Sequence, residues 1–373
     1  ERQRIEVLRC LLDGPQLLVL DEPTAVLPPR EVGALLAICR RLAARGCGLV
    51  LVTHKLAEIA EIATRTTVLR RGRVVETVTM AGASTDLRAL VRAMVGREVK
   101  PLEVRQEAPA EEAPAAAEAP AEALRLKDIV VKDAAGAVRL DVSLSVRRGE
   151  IVGLAGVEGN GQSQLGAVLA GLLPPTSGRV LVGGTDVTGE PPRALSRLGV
   201  GIIPEDRHAV GCHLGLSVAE NLLLGTLPAY TNKLDLLRRD EMARAAAAQM
   251  KAYDVRAAGP DAPMSSLSGG NQQKVVLARE LALDPLVFLL AAQPTRGLDV
   301  GAVESIYTEI RKACARGAGV LLVSSELDEL LAVADRVLVI YRGRIVGELP
   351  ARPEHKDAVG TLMSGQAPGA AAA

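Results

Sequence analysis

The sequence carries one long segment twice, and this repetition constrains the fold more than any other feature. The stretch "ERQRIEVLRCLLDGPQLLVLDEPT" at residues 1–24 matches "NQQKVVLARELALDPLVFLLAAQPT" at residues 271–295, with one residue added in the second copy. A second match follows in the same order, between "GLVLVTHKLAEIAEIATRTTVLRRGRVV" at 48–75 and "GVLLVSSELDELLAVADRVLVIYRGRIV" at 319–346. Two internal matches in one order predict two copies of the same structural unit.

Each copy alternates apolar runs with amphipathic helical patterns. The runs "QLLVL", "GLVLVTH", "GVGIIP" and "GVLLVSS" predict buried strands, whereas "REVGALLAICRRLAARG" and "AVESIYTEIRKACARG" have the apolar period of a helix. Buried strands that alternate with helices indicate an α/β fold with a largely parallel sheet.

An Ala-, Glu- and Pro-rich stretch, "EVRQEAPAEEAPAAAEAPAEA", separates the copies and is typical of an extended spacer. The stretch 124–270 precedes the point in the second copy at which the first copy begins. Repeat symmetry therefore predicts that the first unit is present only as its second half, and we interpret the chain as an N-terminally truncated piece. The predicted organisation is the C-terminal half of a first domain (1–99), a linker (100–124), a second domain (125–363) and a disordered tail (364–373).

Composition excludes several classes of function. Lysine plus arginine equals aspartate plus glutamate at 44 each, so no net charge attracts nucleic acid or anionic lipid to the whole surface. The five cysteines lie far apart, which favours free thiols over a metal or disulfide motif. No apolar run approaches the roughly 18 residues that span a bilayer. A protein of this kind that works at a membrane needs another subunit for the spanning part.

A glycine-rich stretch, "GEIVGLAGVEGNGQSQL", fits the phosphate-loop pattern G-x-x-x-x-G-K-[ST], with glutamine where lysine belongs. A strand-like run precedes it and a helix-like run follows, the context in which backbone N–H groups and a helix N-terminus hold phosphate oxygens. On this motif alone, an ordinary glycine-rich turn stays open as the alternative. The candidate phosphate-binding residues are Gly156, Gly159, Asn160, Gly161, Gln162 and Ser163.

The stretch "SLSGGNQQKVVLARELALDP" resembles the signature motif of ATP-binding cassette (ABC) ATPases, which are P-loop NTPases. Phosphate loop, signature, Walker B strand and switch follow one another in that family's order, and the resemblance covers nearly the whole chain apart from the linker and the tail. It implies tandem ABC cassettes, the first incomplete, with ATP and Mg²⁺ as cofactors. It also implies that Ser268, Gly269 and Gly270 point at the γ-phosphate of ATP bound by the opposing cassette, in keeping with the anion preference of helix N-termini.

In the first unit, "LLVLDEPT" resembles a complete Walker B motif. The resemblance implies that Asp21 holds Mg²⁺ through water and that Glu22 orients or deprotonates the attacking water, a general-base role of roughly 10²–10⁴-fold in rate. His54 in "LVTHKLAE" looks like the switch histidine of the family. A lone histidine at a strand end is more often structural, but its spacing after the Walker B strand favours the switch.

In the second unit, the corresponding positions are Ala292, Gln293 and Ser325, and Glu205 in "GIIPEDR" stands at the place of the family's Q-loop glutamine. No aromatic residue precedes the phosphate loop to stack on adenine. The missing lysine alone removes a charge-assisted contact worth roughly 1.5–3 kcal/mol. We therefore expect very slow hydrolysis at this site.

Cassettes of this family pair head to tail, so each ATP lies between the phosphate loop of one unit and the signature of the other. The competent site is then expected to combine a phosphate loop of the first unit with Asp21, Glu22, His54 and the second signature. The degenerate site combines the second phosphate loop with the first signature. Asp299 in "RGLDVG" keeps the usual family residue and is a further candidate for nucleotide binding. One site is expected to hydrolyse ATP, and the other at most clamps it.

A degenerate second copy, together with "IPEDR", "GNGQS" and "AAQPTRGLDVGA", looks like the simple-sugar and nucleoside importers. Ribose- and galactose-type members usually keep "DEPTRG" in the second Walker B, so "AAQPTRG" favours the nucleoside type, which works with a basic-membrane-lipoprotein receptor. The implied partners are integral-membrane permease subunits and an extracytoplasmic substrate-binding lipoprotein. The implied location is the cytoplasmic face of the cell membrane.

Three alternatives stay open. The first is an ATPase of a monosaccharide importer of the ribose or galactose type. The second is a soluble tandem-cassette translation factor, which the stripped second site, the Ala/Pro-rich linker and the lack of a basic patch disfavour, so no nucleic acid partner is expected. The third is an inactive binding module, because the 373 residues contain no complete hydrolytic site.

Overall fold

The computed structural model describes residues 9, 15–24, 29–53, 55–70, 72–80, 86–96, 121–234 and 236–366. The chain divides into two compact units, the first formed by residues 1–100 with 299–301 and the second by residues 101–298 with 302–373. His54 lies outside the described residues, as do most of the predicted linker and of the predicted tail.

The first unit contains a parallel strand pair and an antiparallel hairpin, each packed on helices. Its elements are β1 (Leu17–Asp21), α1 (Pro29–Ala44), β2 (Gly48–Val52), α2 (Leu56–Ile62), β3 (Arg65–Arg70), β4 (Arg73–Thr79) and α3 (Leu87–Val95). Proline begins α1, where its missing N–H and fixed φ cost the helix nothing.

Only one face of the parallel pair in the first unit is covered. Leu18 and Leu20 point into a small core with Leu35 and Cys39 of α1. The alternate side chains of both strands are exposed, and they are Leu17, Val19, Val50 and Val52. Because side chains alternate across a strand, these apolar residues form one uncovered face, which we call the open face.

The second unit is built on two sheets. A six-stranded sheet has the order β10-β11-β12-β7-β13-β14, in which every neighbouring pair is parallel except β13-β14. A four-stranded antiparallel sheet has the order β6-β5-β8-β9. The strands are β5 (Glu122–Lys132), β6 (Val138–Arg147), β7 (Ile151–Ala155), β8 (Ser177–Val182), β9 (Thr185–Asp186), β10 (Val200–Ile203), β11 (Phe288–Ala292), β12 (Gly319–Val323), β13 (Arg336–Tyr341) and β14 (Arg344–Pro350).

The helices of the second unit cover both faces of the six-stranded sheet or form a separate helical cluster. They are α4 (Gln162–Leu169), α5 (Pro192–Arg197), α6 (Val218–Leu223), α7 (Arg239–Ala252), α8 (Gly269–Leu281), α9 (Val300–Ala315), α10 (Leu327–Val333) and α11 (Lys356–Met363), with a π-helical turn at Arg207–Gly211. This is the predicted α/β fold with a largely parallel sheet. Strand β5 begins at Glu122, before the predicted linker end at 124, because Ala123 and Leu124 are fully buried in the core.

The repeat seen in the sequence reappears in the structure. Strands β1 and β2 pair in parallel with the same register as their counterparts β11 and β12. The hairpins β3-β4 and β13-β14 also correspond, and each has a register shift at the equivalent place, between Val68 and Leu69 or between Val339 and Ile340. No helix among the described residues is long and apolar enough to cross a membrane.

Candidate functional site

The carboxyl ends of β7, β10, β11 and β12 lie at one edge of the six-stranded sheet, because these strands run parallel. Open α/β sheets bind ligands in the crevice outside this edge. The phosphate loop follows β7, Glu205 follows β10, Gln293 follows β11 and Ser325 follows β12. The fold of the second unit thus brings together the site residues that the sequence places far apart.

The phosphate loop needs glycine for its shape. Gly159 and Gly161 have φ values of 90° and 110°, a region that residues with a Cβ rarely adopt. A Cβ on Gly156 would stand 2.8 Å from the carbonyl oxygen of Ile340. The strand, tight turn and helix predicted from the sequence are therefore present, and Gly161 caps α4.

The side chain of Gln162 folds back into this loop. Its Oε1 accepts from the backbone N–H of Asn160 at 3.1 Å, and its Nε2 donates to the carbonyl of Val157 at 3.1 Å. The Asn160 amide donates to the same carbonyl at 2.9 Å. Gln162 therefore braces the loop with a neutral amide and offers no charge to a phosphate, while Ser163 is exposed at the start of α4.

The turn between β13 and β14 holds the phosphate loop from outside. The backbone N–H of Arg342 donates to Oδ1 of Asn160, and that of Gly343 donates to the carbonyl of Asn160, both at 2.8 Å. Arg342 and Gly343 both have positive φ, which allows the tight approach. A Cβ on Gly161 would lie 3.1 Å from the Cα of Gly343. The loop is thus shaped by contacts that do not involve a ligand.

Two carboxylates and one guanidinium lie at the same edge of the sheet. Arg296, in the turn after β11, places Nη1 at 3.1 Å from Oε1 of Glu205 and at 4.0 Å from Oε1 of Glu158 in the phosphate loop. Sequence reasoning identified Glu205 but missed Arg296 and Glu158. Their common position after three parallel strands is the signal that could have found them.

Gln293 occupies the second-unit position that corresponds to Glu22. Its φ is 48°, and its backbone N–H donates to the carbonyl of Val323 at 2.7 Å. Its side-chain oxygen accepts from the backbone N–H and the hydroxyl of Ser325, at 3.1 and 3.3 Å. An amide cannot take a proton from water, and Ala292 beside it has no polar side chain. This turn is ordered but has no group for general-base chemistry.

The first unit has the same turn with different side chains. Asp21 ends β1 and is exposed, and Glu22 follows with a φ of 43°. The backbone N–H of Glu22 donates to the carbonyl of Val52 at 2.9 Å, as Gln293 does to its counterpart. The structure therefore brings the two predicted carboxylates together at the end of the strand pair.

A threonine–glutamate pair, buried in the first unit and partly buried in the second, supports this turn in both units. Thr24 donates to Oε1 of Glu58, and Thr53 donates to Oε2 of the same carboxylate at 2.9 Å. In the second unit, Thr295 donates to Oε2 of Glu329 at 2.7 Å. These pairs, which we call the Thr–Glu braces, fasten the turn after one strand to the helix after the next. Sequence reasoning missed them.

The brace of the second unit has a different second donor. The hydroxyl of Tyr307, a fully buried residue of α9, also donates to Glu329. Burial, together with the adjacent Glu329 carboxylate, raises the pKa of Tyr307 well above its usual range, so this hydroxyl stays protonated and remains a donor. Leu36 of α1 occupies the corresponding position in the first unit and is also buried.

The predicted signature residues begin α8. Ser268 is exposed at the N-cap, and its hydroxyl accepts from the side-chain amide of Asn271 at 3.0 Å. Gly269 and Gly270 form the first turn, and a Cβ on Gly269 would stand 2.8 Å from Nη2 of Arg207. An exposed serine at the open end of a helix suits an anion. The remaining candidate, Asp299, is exposed just before α9.

The two units differ in how well they suit Mg²⁺, which in nucleotide sites takes one or two carboxylates plus water and phosphate oxygens. Asp21 and Glu22 supply carboxylates of this kind in the first unit. In the second unit the same positions have none, and Glu205 is paired with Arg296. Within the part of the chain that the structure describes, no group of three or more His, Cys, Asp or Glu side chains could hold a metal by itself. The donor set fits Mg²⁺ in the first unit and does not fit it in the second.

Comparison with known proteins gives consistent similarities. A family model described as "ABC transporter" matches residues 140–291. The nucleoside import ATP-binding protein NupA of Lactococcus lactis is 41% identical over 98% of this chain and 70% of its own length. The ribose import ATP-binding protein RbsA 1 of Rubrobacter xylanophilus is 41% identical over 96% of this chain and 68% of its own length. A solved nucleotide-free ATP-binding cassette from an ABC transporter aligns at 27% identity and a TM-score of 0.55, over 63% of this chain and 94% of its own.

Proposed function

The chain belongs to the ATP-binding proteins of ABC transporters, and we propose that it energises the import of nucleosides or simple sugars through a membrane permease. As a member of this family it is an ABC-type ATPase subunit that binds ATP. The observation that carries the proposal is a difference between two equivalent turns. The turn of the first unit has the two carboxylates of a Walker B motif, whereas the turn of the second unit has the same backbone conformation and no carboxylate.

We propose that the two units are tandem cassettes and that the first is incomplete in this chain. The open face supports this. Its residues Leu17 and Val19 correspond to Phe288 and Leu290, which are buried in the second unit in a core that includes Leu165 of α4. In the second unit, the face that corresponds to the open face is therefore covered by the half of the domain that carries the phosphate loop. The boundaries 1–99 and 125–363 follow from the same proposal, with the second domain extended to Glu122.

Hydrolysis is assigned to the first unit. Glu22 orients the attacking water and takes its proton, Asp21 holds the metal through water, and His54 acts as the switch histidine. Mg²⁺, when bound, would neutralise charge on the phosphate oxygens. Ser268, Gly269 and Gly270 at the N-terminus of α8 would bind the γ-phosphate of ATP, and Asp299 is a further candidate for nucleotide binding. The second unit, from Gly156 to Ser163, would bind nucleotide without turning it over.

We propose that the loops from Glu205 to Leu224 contact the permease at the cytoplasmic face of the membrane. This segment exposes Val210, Leu214 and Leu224 to solvent. Apolar side chains clustered on a polar surface are typical of a protein interface. A substrate-binding lipoprotein of the basic-membrane type would supply the substrate to the permease.

Nucleosides are the favoured substrate, because "AAQPTRG" replaces the "DEPTRG" of ribose-type members. Simple-sugar import is the second candidate, since the identity to the ribose protein is also 41%. Deleting the gene in its native host and measuring uptake of labelled nucleoside and labelled ribose would separate the two. We expect loss of nucleoside uptake with ribose uptake retained. Selective loss of ribose uptake would make simple-sugar import the favoured function. Retention of both uptake activities would refute the import function.

A further inference from the structure

The charge of the second nucleotide site is unusual for a pocket that binds polyphosphate. Its phosphate loop has neutral Gln162 in place of lysine and adds the carboxylate of Glu158. Glu205 adds a second carboxylate at the same edge of the sheet. Arg296 is the cation that the structure places between these two groups, at 3.1 Å from Glu205 and 4.0 Å from Glu158.

A divalent metal is poorly accommodated in this arrangement. In the first unit Asp21 offers a carboxylate to the metal. The corresponding residue of the second unit is Ala292, and the residue after it is the neutral Gln293. The carboxylate that follows β10, Glu205, is already paired with the guanidinium of Arg296, whose positive charge repels a second cation. A metal would have to displace Arg296 to reach that oxygen.

We propose that the second unit binds ATP or ADP as the metal-free anion, with Arg296 acting as the cation that faces the phosphates. This inference rests on the proposed function of the second unit as a nucleotide site. A guanidinium has five N–H donors in a planar fork, so it can hold a carboxylate and a phosphate oxygen at once, and it stays charged at all physiological pH values. Arg296 thereby supplies, opposite the phosphates, the single positive charge that the missing lysine would provide.

Glu205 has a separate part in this arrangement. Its carboxylate holds the guanidinium at the edge of the sheet, but its charge also opposes an incoming polyphosphate. Removing the charge while keeping a hydrogen-bonding oxygen, as in Glu205→Gln, should therefore tighten the binding of metal-free nucleotide. If Glu205 and the phosphates jointly held Mg²⁺, the same substitution would weaken binding.

The test uses the 373-residue chain, whose sequence contains one phosphate-loop motif. Equilibrium binding of ATP is measured calorimetrically with excess EDTA and again with excess Mg²⁺. We expect similar Kd values in the two buffers. Arg296→Gln should weaken binding about 10- to 150-fold in EDTA, the value of one charge-assisted contact, whereas Arg296→Lys should retain most of the affinity.

Arg125→Gln is the matched control. Arg125 pairs with Glu122 on β5, Nε to Oε1 at 2.8 Å, and the two side chains are 46% and 30% exposed, against 43% and 30% for Arg296 and Glu205. It removes the same charge from an equally exposed ion pair on the other sheet, so the Kd for ATP should not change. Circular dichroism of each variant verifies that the fold is intact.

The outcomes separate the inference from the proposed function. Binding that requires Mg²⁺, or that survives Arg296→Gln unchanged, overturns the metal-free site but leaves a nucleotide site in the second unit. Absence of ATP binding in both buffers overturns the nucleotide site itself. Binding without Mg²⁺ that is lost in Arg296→Gln, kept in Arg296→Lys and tightened in Glu205→Gln supports the inference.

Discussion

The turns after β1 and β11 share a backbone and differ in chemistry. Glu22 and Gln293 adopt the same left-handed conformation, with φ values of 43° and 48°, which is uncommon for residues with a Cβ. Both donate their N–H to the next parallel strand, and a Thr–Glu brace lies beneath each. The second unit therefore keeps the geometry although it has lost the carboxylates. The turn that the second unit retains positions the segment after it, in which Arg296 reaches Glu205.

The first prediction tests the chemical difference. In a longer chain that also carries a phosphate loop for the first unit, Glu22→Gln should lower ATP turnover about 10²- to 10⁴-fold, because it removes the group that we propose takes the proton from water. Gln293→Ala is the matched substitution and should leave turnover unchanged. Phosphate release with permease present measures both. Equal losses from the two variants would mean that the sites do not divide the work.

The second prediction tests the open face. Leu290→Ala should destabilise the second unit by about 2–5 kcal/mol, since it leaves a cavity in a core where Leu290 is 1% exposed. Val19→Ala, at the corresponding position, should cost less than about 0.5 kcal/mol, because Val19 is 58% exposed.

Urea unfolding can report the two units separately. All four tyrosines, at positions 230, 253, 307 and 341, lie in the second unit and the chain has no tryptophan, so intrinsic fluorescence follows that unit alone. Far-UV circular dichroism follows both units. A large cost for Val19→Ala would show that something covers the open face in solution.

The third prediction tests the Thr–Glu braces. Glu58→Gln and Glu329→Gln should each destabilise their own unit by about 1–3 kcal/mol, the cost of leaving buried hydroxyl donors with a weaker acceptor. The two effects should be of similar size, because each carboxylate accepts from two hydroxyls, Glu58 from two threonines and Glu329 from Thr295 and Tyr307. The same unfolding measurement applies, with Glu354→Gln, an exposed glutamate, as the control. If only one of the two substitutions lowered the free energy of unfolding, the two turns would be equivalent in structure but not in their contribution to stability.

The fourth prediction concerns the smallest effect, the loss of stability of the second unit at acid pH. Burial alone would raise the pKa of Glu150, but hydrogen bonds from Arg336 and from the backbone N–H of Arg147 outweigh it and hold the pKa below its usual value. A carboxylate with a lowered folded-state pKa stabilises the fold above its unfolded pKa, and this contribution is lost as the pH falls through the folded pKa.

The stability difference between the native chain and Glu150→Gln should therefore stay constant from neutral pH down to the unfolded pKa of the carboxyl, and should narrow as the pH falls from there through the lower folded-state pKa. Tyrosine fluorescence during urea unfolding at each pH measures it. Glu348→Gln, which removes an exposed partner of the same Arg336, should show a smaller difference throughout. A difference that stays constant with pH would exclude Glu150 as the titrating group.

Sequence patterns predicted most of the fold and part of the candidate site. Apolar periodicity and the repeat were sufficient for the parallel sheet, and motif spacing placed Asp21, Glu22 and Glu205 at strand ends, as observed. The ion pair of Arg296 with Glu205 was not predictable in that way, because it depends on the shapes of two turns that are distant in sequence. The braces could have been predicted, because a threonine and a glutamate recur 34 residues apart in both copies, although the proposed catalytic groups do not.

The turn at Arg342 and Gly343 has a consequence for the speed of nucleotide capture. Because this hairpin, formed by the last two strands of the sheet, holds Asn160 through two hydrogen bonds, the phosphate loop acquires its curvature when the domain folds. An arriving nucleotide then meets a receptor that is already shaped, and little conformational entropy is lost on association. The association rate of the nucleotide should accordingly be limited by diffusion and charge. The lifetime of the nucleotide complex should depend on how stable the two hydrogen bonds from the hairpin to Asn160 are.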